Sequence, residues 1–111
     1  MSDKATLHRQ LRIKLGTTKR LFKEHKSYTK EAEDLQRKLD KFIADEAEAW
    51  DIKNTRNMME ESKKLIKDTD KRLGDAVQDL REVIATAEKN PEFAEDEEVL
   101  KAKEVLAEVS V

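Results

Sequence analysis

The sequence predicts an all-α fold, an antiparallel up-down-up three-helix bundle with coiled-coil character, two long helices and one shorter C-terminal helix. Three observations predict it. Apolar residues recur at alternating steps of three and four along most of the chain, which places them on one face of a helix. Only 2 glycines and 1 proline occur in 111 residues, far fewer turn formers than a sheet fold needs. Charged residues make up 43% of the chain and aromatics 5%, a balance that suits long helices burying a narrow stripe and solvating the rest. The same charge content is compatible with disorder, but the regular apolar spacing argues against it. A chain of this length is expected to form one domain over 1–111, with helix one at about 7–45, helix two at about 51–88 and helix three at about 93–109.

The first helix carries a track of Leu11, Thr18, Leu21, His25, Tyr28, Ala32, Leu35, Leu39 and Phe42, with Lys14 as its one charged gap. Leu15, Phe22 and Ile43 form a second line beside it, so the stripe is wide enough to meet two neighbours. The second helix repeats the pattern through Ile52, Thr55, Met59, Ser62, Ile66, Thr69, Leu73, Ala76, Leu80, Val83 and Ala87. Met58, Leu65, Val77 and Ile84 flank that track. Lys89-Asn90-Pro91 ends it, because proline has no amide hydrogen and pushes the preceding residue out of the helical region. Asn90 is positioned to cap a new helix with Pro91 at its first position. The third helix presents Val99, Ala102, Val105, Leu106 and Val109 on one face. Glu92, Glu95, Asp96, Glu97 and Glu98 crowd its start, where the helix dipole favours negative charge.

The break between the long helices is the least marked. Asp45-Glu46-Ala47-Glu48-Ala49-Trp50-Asp51 contains no Gly or Pro, and most of it favours helix. Asp51 is the candidate N-cap, although Asn54 stands where a capping box would have Glu or Gln. The alternative is a single rod from Leu7 to Ala87, ~120 Å long at a rise of ~1.5 Å per residue, stable only as an oligomer.

Composition removes several functions. With no cysteine there is no disulfide, thiolate catalysis or Cys-type zinc site. No segment approaches the ~20 apolar residues of a membrane span, and Met-Ser-Asp-Lys is not a signal-peptide start, so a cytosolic protein is expected. His8 and His25 are seventeen residues apart, ~25 Å along one helix, whereas metal pairing on a helix needs a spacing of three or four. Gly16 and Gly74 stand singly within helices and cradle no phosphate; close packing or mild helix weakening is expected of them. No catalytic, cofactor or metal residues are found.

Charge is unevenly spread. Residues 1–30 hold nine basic and two acidic residues, and residues 91–111 hold two basic and seven acidic. The basic run is not read as a nucleic-acid site, because it covers several helix faces without an aromatic platform and the net charge is −2. Pairing with the acidic start of helix three, which an up-down-up bundle brings to the same end, is the simpler account.

The string Ile13-Lys14-Leu15-Gly16-Thr17-Thr18-Lys19-Arg20-Leu21-Phe22-Lys23-Glu24 resembles the opening signature of the tubulin-binding cofactor A family, and Tyr28, Lys30, Glu31 and Ala32 continue it. Trp50-Asp51-Ile52-Lys53 is similar to the family's start of helix two. Glu61-Ser62, Ile66, Asp68, Arg72-Leu73, Ala76 and Asp79-Leu80 match its later pattern, so the likeness covers about residues 9–84. The resemblance implies a non-catalytic chaperone that takes β-tubulin after chaperonin release and hands it to other tubulin-folding cofactors on the way to the αβ heterodimer, in the cytoplasm and with the microtubule cytoskeleton. It implies no cofactor, no nucleic acid and no membrane. Lys67 stands where the family often has a proline, so a straighter second helix is expected here.

Helix length suggests where a partner docks. The third helix is too short to shield the half of the hairpin holding Leu35, Leu39, Phe42, Ile43, Ile52, Met58, Met59 and Leu65. Exposed apolar surface marks interfaces, and methionines adapt to a partner. That half is therefore expected to be a tubulin contact or the seam of a weak homodimer, unless Tyr28, Trp50 and the stems of lysines and glutamates fold over it. A monomer or a weak homodimer is expected. The candidate contacts are Tyr28, Phe42, Trp50, Asp51, Met58 and Met59, with Lys19, Arg20, Lys23, Glu24, Glu61 and Arg72 as charged partners. Since tubulin is acidic, the basic residues of helix one suit electrostatic steering. The competing function is a generic coiled-coil adaptor or oligomerisation module.

Overall fold

The computed structural model describes residues 4–93 and 95–109. Its elements are α1 (Lys4–Ala44), α2 (Ala49–Glu88), a 3-10 turn at Pro91–Phe93 and α3 (Glu97–Val109). The three-helix architecture is as expected, and α2 is uninterrupted through Lys67. The described residues fall into two compact units: residues up to 22 with those from 72 onward, and residues 23–71.

In the first unit Leu7, Leu11 and Leu15 of α1 meet Leu80, Ile84 and Ala87 of α2, and Val99, Ala102 and Val105 of α3. Phe93, 1% exposed, plugs the same cluster. Leu21, Leu73 and Ala76 continue the α1–α2 seam. Register is antiparallel between α1 and α2, because Lys14 pairs with Asp79 and Thr18 Oγ1 lies 3.5 Å from the Ala76 carbonyl. It is parallel between α1 and α3, where His8 meets Asp96 and Arg12 meets Glu98. Each fully buried leucine or phenylalanine here contributes ~1.5–3 kcal/mol.

The second unit has a thinner core. Leu35 and Leu39 of α1 bury against Met59 of α2, with Ile52 packed beside them. Most of the remaining α2 seam is hydroxylic: Thr55, Ser62 and Thr69 are buried. The threonines satisfy themselves by donating to the carbonyl one turn back, Thr55 to Asp51 at 2.9 Å and Thr69 to Leu65 at 2.8 Å. They can be buried without a partner on the facing helix.

The two long helices end within a residue of where the pattern puts them, but each starts two or three residues earlier. α1 begins earlier, at Lys4, and ends at Ala44. Its last turn closes as a Schellman motif, with the Glu46 amide donating to the Ile43 carbonyl (3.2 Å) and the Ala47 amide to the Phe42 carbonyl (2.9 Å). Glu46 takes the left-handed position usually given to glycine, at φ 53°. The single rod is thereby excluded, and its stop was hidden because the turn uses a residue with no turn signal. α2 begins at Ala49, not Asp51: the Asp51 and Ile52 amides bond to the Glu48 carbonyl. Asp51 stands in the first turn, where its charge complements the dipole.

Helix three also starts later than expected. Asn90 caps the 3-10 turn rather than an α-helix, its Oδ1 accepting the Glu92 amide at 3.0 Å. That turn drops Phe93 into the core, edge-on to the His8 ring at 5.7 Å. Asp96 then caps α3 with Oδ1 accepting the Glu98 amide (2.9 Å), while Oδ2 lies 2.8 Å from His8 Nε2. One carboxylate thus starts α3 and ties it to α1. Gly16 and Gly74 have nothing within 4 Å of a would-be Cβ, so close packing is not their role and mild helix weakening is what remains.

Two expected outcomes follow. Glu46→Gly removes the left-handed strain and should raise stability by ~0.5–1 kcal/mol in urea denaturation; an unchanged or lower midpoint would contradict it. Burial pushes the Asp96 carboxyl up, but hydrogen bonds from His8 and the Glu98 and Val99 amides, with the charge of His8, outweigh it and hold the pKa below the usual 3.8. The folded form is therefore favoured by a stabilisation that is complete above that value and disappears as pH falls through the lowered one. The stability gap between the native chain and Asp96→Asn should be wide at neutral pH and narrow in strong acid; a gap that stays constant to pH ~2 would refute the linkage.

Candidate protein-binding surface

A helix whose core-facing side is already used can still carry apolar residues on its flank, and α2 does so in the second unit. Trp50, Met58 and Leu65 are spaced by eight and seven residues, about two turns each, so they lie within an arc of about 80° on one side of the helix. They are 69%, 42% and 41% exposed. Asn54 and Glu61 fall between them in sequence and within the same arc. Asn54 Nδ2 donates to Met58 Sδ at 3.9 Å, and Glu61 pairs with Lys64 at 3.7 Å. Polar side chains thus alternate with the apolar ones, which stay exposed. On α1, Ile43 is 48% exposed. Phe42 is half-buried under Lys38, whose ammonium sits 5.6 Å from the ring centre. Lys38 lies over Phe42, in keeping with one of the sequence alternatives, while Trp50 stays largely exposed.

The candidate residues separate. Met59, expected at the surface, is only 7% exposed and belongs to the core with Leu35 and Leu39. Adjacent residues on a helix point ~100° apart, so Met58 and Met59 cannot share a role. Asp51 is half-buried, and its carbonyl accepts the Thr55 hydroxyl. Tyr28 and Glu24 are half-buried and Lys23 and Glu61 exposed, all in the second unit. Lys19, Arg20 and Arg72 lie in the first unit and are exposed. Arg20 and Arg72 line one groove of about 270 Å³ with Ile13, Leu21 and Asp75. Ile13, 57% exposed, and Leu100, 46% exposed, are apolar surface that the heptad reading did not single out. Leu65 was placed in the half expected to make contact but was not singled out as a contact residue; its seven-residue step from Met58 is the signal that would have singled it out.

The basic run is partly consumed internally. Arg12 pairs with Glu98 at 3.3 Å and Lys14 with Asp79 at 3.3 Å. His25 faces Asp70 at 3.7 Å. Among the described residues no group of three or more His, Asp or Glu side chains is placed to hold a metal ion. No described helix is long and apolar enough to cross a membrane. The exposed stretch of α2 is a row of apolar side chains with polar neighbours between them, a pattern that suits protein contact.

A family model, tubulin binding cofactor A, matches residues 6–106. Tubulin-specific chaperone A of Homo sapiens is 37% identical over 103 residues, covering 93% of each chain. Tubulin-folding cofactor A of Arabidopsis thaliana is 38% identical over 101 residues, covering 91% of this chain and 88% of that one. The crystal structure of the Arabidopsis cofactor superposes with a TM-score of 0.86 at 36% identity, covering 94% of this chain and 95% of that one. The human tubulin chaperone cofactor A gives a TM-score of 0.80 at 35% identity, covering 95% and 99%.

The two adjacent methionines should respond differently to truncation. Met59→Ala is expected to cost ~2–5 kcal/mol in denaturant titration, and Met58→Ala to stay within ~0.5 kcal/mol. Equal losses would show that Met58 is packed and not available to a partner.

Proposed function

The chain belongs to the tubulin binding cofactor A family, and from that premise we propose that it is a tubulin-folding chaperone that captures β-tubulin after chaperonin release and hands it to other folding cofactors on the route to the αβ heterodimer. The family match over residues 6–106 carries this reading. The exposed line of Trp50, Met58 and Leu65 supports it, because a folding intermediate presents apolar surface that needs a transient apolar cover. The role is one of binding and needs no bond-making residue, cofactor, nucleic acid or membrane. It belongs in the cytoplasm beside the microtubule cytoskeleton, as a monomer or weak homodimer.

Capture works by differential exposure. Trp50 supplies a large rigid contact and Met58 an adaptable one, and the two suit a partner whose surface is not yet in final form. Lys19, Arg20 and Lys23 add positive charge that speeds the encounter with an acidic protein without burying ion pairs.

Size-exclusion chromatography with light scattering tests the reading. The native chain should co-elute with freshly released β-tubulin, and Met58→Glu should weaken that capture by about tenfold or more with helical circular dichroism intact. A native chain that ignores β-tubulin would withdraw the function. Capture that survives Met58→Glu and Leu65→Glu unchanged would move the contact off this side of α2.

A further inference from the structure

We propose that Met58 is an oxidation site through which hydrogen peroxide turns the α2 docking surface off while leaving the helix intact; this rests on the reading of the Trp50–Met58–Leu65 line as a partner contact. Three features single out this sulfur. Met58 is 42% exposed while Met59, its neighbour in sequence, is 7% exposed within the core. A peroxide therefore reaches the Met58 thioether well ahead of the Met59 one. Along the helix axis Met58 falls between Trp50 and Leu65, both exposed, so a polar group at its sulfur interrupts the apolar surface. Asn54 Nδ2 already lies 3.9 Å from Met58 Sδ, one turn back on the same helix.

The chemistry balances with the peroxide alone. The thioether lone pair attacks one peroxide oxygen, the O–O bond breaks, and an S–O bond forms. The sulfur loses two electrons, the peroxide is reduced, and the second oxygen leaves as water once the transferred oxygen has given up its proton. The product is a sulfoxide, whose oxygen is a far stronger acceptor than the thioether. The Asn54 amide is within reach of it, so the new group is satisfied in the free protein. In the complex the same oxygen is buried against apolar surface, and an unmatched polar group there lowers affinity by about tenfold. Because the sulfoxide is the reducible rung of methionine oxidation, a methionine sulfoxide reductase restores the surface.

The full chain is treated with hydrogen peroxide, quenched with catalase, and then mixed with β-tubulin. Peptide mass mapping should show one added oxygen on Met58 well before Met59. Helical circular dichroism should hold, and β-tubulin affinity should fall about tenfold and return after reductase treatment. Met58→Leu is run in parallel; whatever its starting affinity, its ratio before and after peroxide should stay near one, which separates Met58 from Met1. Equal modification of Met58 and Met59 overturns the inference, as does unchanged affinity of chain oxidised at Met58, or an equal fall in Met58→Leu. An untreated chain that does not bind overturns the docking reading instead, and this inference with it.

Discussion

The seam between α1 and α2 accepts hydroxyls almost as readily as leucines, and this limits how much each part of the chain can hold. Thr18, Thr55, Ser62 and Thr69 are buried, as are Leu21, Leu39, Met59 and Leu73. Threonines tolerate that position because each can bond the carbonyl of its own preceding turn, as Thr18 does to Lys14 at 2.8 Å. The helices can then approach without leaving an unsatisfied group, but each such position buries little apolar area. A seam of this kind aligns two helices and leaves strong cohesion to be supplied elsewhere.

In the first unit it is supplied by α3. Phe93, Val99, Ala102 and Val105 close a third side over Leu7, Leu11 and Leu80, and His8–Asp96 and Arg12–Glu98 fix the edge. His8 and Arg12 near the start of α1 meet Asp96 and Glu98 at the start of α3 there, so part of the basic run is taken up internally. In the second unit the core consists of residues from α1 and α2, and Leu35, Leu39 and Met59 are its buried cluster. Apolar side chains on the flank of α2 stay in water as a consequence. The proposed function draws on this exposure: a client that covers such a surface removes it from water, and that burial would drive capture.

The polar residues at helix ends show a similar economy. Asp96 caps one helix and grips another with its two oxygens. Glu46 ends α1 in a conformation that favours glycine, and the cost is tolerated because the Phe42 and Ile43 carbonyls are thereby satisfied. Stops made this way leave no mark in composition. That is why the ends of the long helices were harder to read than their middles.

The sequence by itself determined the helical class, the faces of both long helices, the proline-enforced end of α2 and the family, because period and residue order survive in one dimension. It also indicated that a short third helix would leave part of the hairpin less covered. Tertiary structure alone decided that Met58 faces water while Met59 faces Leu35 and Leu39, that Phe93 is a core plug within a 3-10 turn, and that α3 waits for Asp96 before starting. The reason is angular: neighbouring helix residues differ by ~100° in direction, and which of two similar side chains is buried depends on where the facing helix lies. Local spacing narrows that direction to an arc, and only packing across the seam selects the residue within it.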